Sequence, residues 1–446
     1  MSPKHLFGLA AFQFLVSTTL HAQPSEAPQP ESAPASALSE ATPPAAPAPA
    51  PTTSIAPSPA DAPPTAAVTP ASPHWYELLK VRGYTQLRYN GLPTFQDNDN
   101  LVNAQGDKYI GAGSTFAIRR ARVILYGDVH ERVSVYLQTD FASAIGDQNH
   151  VAIVRDWYTD VYIDPAKELR LRLGQSKVPF GFENMQSSQN RLPLDRNDAL
   201  NSAVKDERDL GVFAYWAPAA KRKLLKSLVD DNLKGSGDYG VVALGMYNGQ
   251  TANRFDNNDN FHVVGRISYP FEIGNQVLEI GGGGYTGLYT IKLADEKDQK
   301  YTTPDRDNNL RDARAYGSII LYPKPLGIVV EYNGGVGPQQ AVSEPGVIKT
   351  RKLYGGYAQL FYKVEDLLGT VSLIPYVRGT YYNGGKKFEN NAPYYRVREL
   401  ELGLEWQLLK ALEVTVAYAF ADRTSSKYPY AREKGHLGRV QVQFNY

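Results

Sequence analysis

The sequence predicts an all-β chain: a sixteen-stranded antiparallel transmembrane β-barrel behind an N-terminal disordered Pro/Ala-rich segment. Three observations predict it. Strand signals recur from His74 to Tyr446 with one face apolar and the other polar, the pattern of a wall between two media. Many of these segments run about ten residues, the length of a tilted membrane strand. Short turns and long polar loops alternate along the chain, so one end of the structure collects turns and the other loops.

The first 22 residues, MSPKHLFGLAAFQFLVSTTLHA, carry Lys4, an apolar run Leu6–Leu20 and a small residue, Ala22. They read as a secretory signal peptide, too short to span a bilayer. Residues 23–73 hold 15 of the 30 prolines among Ala, Ser and Thr, a composition with too little apolar surface to order itself. Residues 74–446 form the expected barrel domain. No later stretch has the roughly 18 uninterrupted apolar residues of a membrane helix.

Sixteen strands are expected: 77–91, 116–130, 132–142, 154–164, 168–177, 209–217, 238–248, 260–270, 275–291, 311–323, 326–335, 353–364, 370–383, 396–409, 412–424 and 435–446. In RVSVYLQTDF, Val133, Val135, Leu137, Thr139 and Phe141 oppose Arg132, Ser134, Tyr136, Gln138 and Asp140. In ELRLRLGQ, leucines 169, 171 and 173 oppose Arg170 and Arg172. Short turns follow the even strands. Long loops, 92–115, 178–208, 249–259, 292–310, 336–352, 384–394 and 425–434, follow the odd ones. Turns then lie in the periplasm and loops outside a Gram-negative cell, in its outer membrane. The closing GRVQVQFNY puts Val440, Val442, Phe444 and Tyr446 on one face, toward lipid, and resembles the terminal assembly signal of outer-membrane barrels. One turn is replaced by 217–238, where Leu224, Leu225, Leu228 and Leu233 fall at helical spacing. A small amphipathic periplasmic insertion is expected there.

A barrel of sixteen strands is wide enough for water, so the inward parity is the functional surface. It carries Arg82, Arg88, Arg120, Arg122, Arg132, Arg170, Arg172, Arg266, Arg314, Arg378 and Arg439. Against these eleven arginines stand seven acids, Asp140, Glu279, Glu331, Glu399, Glu401, Glu405 and Glu413. Guanidinium forks bind phosphate and carboxylate bidentately and stay charged, so a column of them would serve small anions. The alternative is that they pair with the acids and line a general pore. The longest loop, 178–208, is expected to fold inward and narrow the channel, presenting Arg191, Arg196, Lys205 and Arg208.

FAIRRARVILYGDV at 116–129, LRLGQSKVPFGFEN at 171–184, ERDLGV at 207–212, YNG at 247–249 and the terminal aromatic strand resemble the phosphate-selective porins O and P. The resemblance spans nearly all of 77–446. It implies a sixteen-stranded anion porin that assembles as a homotrimer in outer-membrane lipid, with phosphate or polyphosphate as solutes. It also implies anion-binding roles for Arg119, Arg120, Arg122 and Lys177. The Pro/Ala-rich leader and the 217–238 insertion depart from it.

Near-neutral charge, formally +1, argues against nucleic acid as partner. With no cysteine there are no thiolate sites. HExxH, GxSxG and the phosphate-loop motif are missing, so no enzyme, cofactor or metal is expected. The glycines of 281–287 are read as bending the wall or admitting a bulky neighbour. Aspartate-rich 97–100 and 256–260 read as solvated loop. A barrel acting as adhesin or receptor, and a hydrolase, are the other readings.

Overall fold

The computed structural model describes residues 74–446 apart from 92–100, 102–103, 112, 146–147, 296–298, 342 and 427–430. The expected signal peptide and Pro/Ala-rich segment, and the aspartates of 97–100, lie outside the described residues.

Among the described residues sixteen antiparallel strands close into a barrel. They are β1 Lys80–Gly91, β2 Thr115–His130, β3 Val133–Ile145, β4 Gln148–Tyr162, β5 Leu169–Lys177, β6 Arg208–Trp216, β7 Val242–Tyr247 and β8 His262–Ile273. There follow β9 Gln276–Thr290, β10 Asn309–Leu321, β11 Leu326–Gln340, β12 Ile348–Tyr362, β13 Ser372–Gly385, β14 Tyr394–Leu409, β15 Leu412–Ser425 and β16 Ala431–Asn445. A two-residue extension, Val364–Glu365, continues the β12 edge of β13. Each expected strand overlaps one observed strand. β1 and β16 close the wall, from Tyr84 opposite Asn445 to Gly91 opposite Gly438. Gly83 matters at this seam. A Cβ there would stand 2.5 Å from the Tyr446 ring and 2.4 Å from the Arg122 carbonyl oxygen, so only glycine lets the terminal aromatic lie over β1.

The alternation is physical. Val440, Phe444 and Tyr446 are exposed while Arg439, Gln441 and Gln443 are buried inside. The same holds for Leu400, Leu402 and Leu404 against Glu399, Glu401 and Glu405. An outward apolar belt is what hydrocarbon demands of a closed sheet whose backbone groups are all paired. No helix among the described residues is long and apolar enough to cross a membrane.

The turn-and-loop asymmetry is observed with corrections. β11, β13 and β15 extend beyond their expected ends, so the loops 336–352, 384–394 and 425–434 shrink to 341–347, 386–393 and 426–430. The strands rise past the point where apolar alternation stops, because cross-strand hydrogen bonds continue there.

Three features fill the barrel. The loop between β5 and β6 folds inward, carrying the one-turn helices α1 Phe182–Met185 and α2 Asp198–Asn201. Its Val178, Phe180, Leu200 and Val204 pack against Phe213, Tyr247, Tyr285 and Tyr316 of β6–β10. The 217–238 insertion is helix α3, Ala219–Asp230. It is no mere rim decoration: Leu225, Leu228 and Leu233 are buried with Phe182 and Leu192 against Val277, Ile320, Tyr322, Val329 and Phe361 of β9–β12. Burying each leucine contributes roughly 2 kcal/mol. Part of the loop after β1, Leu101, Ala104 and Ile110, packs on Ala419, Ala421 and Leu437 of β15 and β16. On the opposite side the lumenal face of β1 meets the same loop through hydrogen bonds of Tyr84, Gln86 and Arg88 to Ser188, Leu194 and Asp195. The glycines of 281–287 admit neighbours, as expected: a Cβ on Gly287 would meet the His262 ring at 2.0 Å.

Candidate lumenal anion site

Packing on β6–β16 leaves two lumenal cavities along β1–β6. The one at the loop end is about 720 Å³ and the one at the turn end about 900 Å³; Arg208 lines both. Between them stands the inward loop.

The loop is held by charge as well as by its apolar anchors. The Asp195 carboxylate receives Arg88 Nη1 at 2.5 Å, Arg119 Nη2 at 2.9 Å, Arg439 Nη1 at 3.1 Å and Arg120 Nη2 at 3.3 Å. Burial pushes this carboxyl up, but the four arginines more than reverse that and hold it far below the usual range. Glu183 takes Arg378 Nη1 at 2.5 Å, and Asp198 takes Lys386. Glu331 on β11 accepts the backbone N–H groups of Phe182 and Glu183 at 2.9 and 3.0 Å. Lys177 donates to the carbonyls of Asn184, Met185 and Gln186, closing the loop's first turn on itself.

The expected arginines therefore divide. Arg88, Arg266, Arg314, Arg378 and Arg439 are inward and buried in pairs with acids or loop carbonyls: Arg88 with Asp107, Arg266 with Glu279, Arg314 with Asp312 and Ser202, Arg439 with Glu401. For this set the pairing alternative holds, because isolated buried charges are too costly. Arg170 is likewise taken, by Asp238 at 2.9 Å. Arg132 is corrected: β3 starts at Val133, so Arg132 sits in the turn and donates to the Ile163 carbonyl. It lines neither of the two lumenal cavities.

The others line the cavities. Arg82 is exposed over the Tyr126 ring in the turn-end cavity. There Arg172 grips Asp160 through two bonds of 2.7 and 2.8 Å and lies 3.6 Å over Tyr158. Arg119, Arg120, Arg122, Arg191, Arg196, Lys205 and Arg208 line the loop-end cavity, with Arg155 and Lys386, which the sequence reading missed. Arg155 escaped it because a bulge in β4 breaks the alternation beside it. Lys386 escaped it because it begins a loop.

Charge separates the two cavities. The loop-end one has these nine cations against Asp195, Asp198, Asp206, Glu207 and Glu389. The turn-end one has Arg82, Arg172, Lys177, Arg208, Lys363 and Lys410 against seven acids, Asp156, Asp230, Asp231, Asp238, Glu365, Asp366 and Glu413. The positive surplus lies on the loop side alone. Within it Glu207 is shared by Arg191, Arg196, Arg208 and Lys177 at 2.5–3.4 Å. Burial and the nearby Arg191, against the pull of Glu207, bring Arg196 down to about 10. Arg191 is buried, and its Nε and Nη1 have no hydrogen-bond partner among the described residues. Such a crowd of guanidiniums is under-neutralised and has donors to spare for an anion. Among the described residues no group of acids and histidines is placed to hold a metal ion.

A family model described as "Phosphate-selective porin O and P" matches residues 95–446, well over half of the chain. No curated protein matches the chain. Similar solved structures include the outer membrane channel DcaP of Acinetobacter baumannii, 12% identical, covering 82% of this chain and 97% of that one at a TM-score of 0.48. Others are OmpF of Salmonella typhi, 11% identical over 82% and 97% at 0.49, and the anion-selective porin from Comamonas acidovorans, 12% identical over 82% and 99% at 0.44. At such identities and scores these likenesses carry no functional argument. The family match does: the chain belongs to the phosphate-selective porin O and P family and is an outer-membrane porin.

Proposed function

We propose that the loop-end cavity selects small anions, phosphate among them, for passive diffusion across the outer membrane. As a porin the chain is a channel rather than an enzyme. The observation that carries the anion reading is the surplus of nine cations over five acids beside the inward loop, with N–H groups on Arg191 that have no hydrogen-bond partner among the described residues. Anions entering from outside exchange water for guanidinium donors on Arg119, Arg120, Arg122 and Arg191, pass Lys205 and Arg208, and leave by the cavity carrying Arg82, Arg172 and Lys177. There the acids outnumber the bases and loosen the hold, which conduction requires. Three copies assembled in the membrane, as the family resemblance implies, are part of the same proposal. Native mass spectrometry of the detergent-extracted protein reads that number directly.

The test is the reversal potential of single channels in a tenfold salt gradient. Wild type is expected to prefer anions, and Arg119→Gln with Arg191→Gln to move the potential toward zero. Cation preference in the wild type removes the proposal, as does an unchanged potential in the double variant.

A further inference from the structure

The outward face of β11–β16 differs from the rest of the belt. Residues in register across these strands form two rows. The row nearer the loop end runs Tyr332, Gly356, Tyr381, Arg398, Asp422, Lys434. The row below it, toward the middle of the wall, runs Val330, Ala358, Gly379, Leu400, Phe420, His436. Together they line an outward groove of about 750 Å³.

The groove is low at Gly356, Ala358 and Gly379, between larger side chains on either side. A Cβ on Gly379 would meet nothing within 4 Å, so no packing within the chain calls for glycine there. Glycine in a strand costs stability and often marks close approach by something else. Above the floor, Arg396, Arg398, Arg432 and Lys434 are exposed. Asp422 pairs with Arg432 at 2.8 Å. Arg396, Arg398 and Lys434 make no ion pair among the described residues. Asp422 also lies in the field of Arg396 and Lys434, so four bases share one acid at the edge of an apolar belt facing the outer leaflet, a surplus suited to headgroup phosphate.

We infer that this groove binds a phosphorylated membrane lipid of the outer leaflet, its phosphate on Arg396, Arg398 and Lys434 and an acyl chain along Ala358, Gly379, Leu400 and Phe420. Charge decides the occupant. The described outward residues at the loop end of β1–β5, Tyr89, Phe116, Phe141, Gln148, Asn149 and His150 among them, offer no acid to meet these bases. A second copy of the chain therefore fits less well than an anionic lipid. Free phosphate would satisfy the bases and leave the groove empty.

The experiment uses the full, folded chain in detergent. Native mass spectrometry counts retained lipid after addition of a diphosphorylated glucosamine lipid, the same lipid without phosphate, or inorganic phosphate as competitor. The variants are Arg396→Gln/Arg398→Gln/Lys434→Gln, and Gly379→Leu, which puts a side chain into the groove at a position where a Cβ meets nothing within 4 Å. The phosphorylated lipid is expected to bind wild type at least about tenfold better than the triple variant or the phosphate-free lipid. Gly379→Leu should also weaken it, while single-channel conductance in both variants stays at the wild-type value, showing a folded pore. Equal binding of the phosphate-free lipid overturns the inference, as does full binding by the triple variant. Binding untouched by Gly379→Leu but abolished by inorganic phosphate shows a bare anion site and overturns it. A change in the number of copies with no change in lipid retention assigns the face to a subunit contact and overturns it as well.

Discussion

Replacing Asp195 by Asn tests how the inward loop is held. The change keeps the side-chain shape and an accepting oxygen, and removes one charge from among four guanidiniums at 2.5–3.3 Å. At an effective dielectric near 20, each contact at about 3 Å is worth roughly 5 kcal/mol before costs. Desolvation takes back several kcal/mol per ion, and the arginines repel one another. Breaking a buried pair costs about 3–5 kcal/mol net. The low end applies, because Arg88 keeps Asp107 and Gln441, Arg439 keeps Glu401, and Arg120 keeps Gln86. A loss of about 3 kcal/mol shifts the docked-to-released ratio of the loop by roughly a hundredfold. Single-channel recordings in planar bilayers are expected to show new flicker between conductance levels. Anion preference should increase, since the cavity loses an acid. Unfolding in detergent should report the destabilisation, and adding Arg439→Gln should cost less than the sum of the two single changes. Wild-type current noise together with an unfolding free energy changed by less than about 0.5 kcal/mol, the level of a neutral surface change, would refute electrostatic anchoring.

Two further outcomes are expected. Replacing 219–236 by a short turn removes α3 and opens the turn-end mouth, so conductance should rise while anion preference, set at the other end, persists; an unchanged conductance tells against α3 as an obstruction. Acid should not release the loop between pH 7 and 5. Glu183, Asp195, Asp198 and Glu207 are all held below their ordinary values, burial opposing and neighbouring bases prevailing. A carboxyl depressed in the folded state contributes stability that is complete above its unfolded value, near 4, and is lost only as pH falls through the lower folded value. Flicker already present at pH 5 contradicts this.

The wall was legible in the sequence, and its contents were legible only in part. Alternation located every strand because it records a local fact, which face each side chain meets. The inward turn of 178–208 showed in its length, and α3 in the spacing of Leu225 and Leu228. That α3 lies inside the barrel was not legible, since an amphipathic helix does not say which apolar surface it covers. Nor was the fate of the arginines. Arg88 meets Asp195 over 107 positions and Arg378 meets Glu183 over 195, and no local pattern encodes such partners. Arg132 fell one residue outside its strand, in the turn, where it binds the Ile163 carbonyl and lines neither cavity.

The crowding of the interior against β6–β16 has a consequence for traffic. A solute cannot travel along the barrel's axis; it hugs one flank, as in a gutter, with arginine and tyrosine edges on one side and the backs of the loop and helix on the other. At the turn end α3 sets the width, whereas at the loop end the inward loop sets both width and charge, since Arg191, Arg196 and Lys205 are its own. Changes in α3 can alter how large a molecule passes without touching the bases of the loop-end cavity.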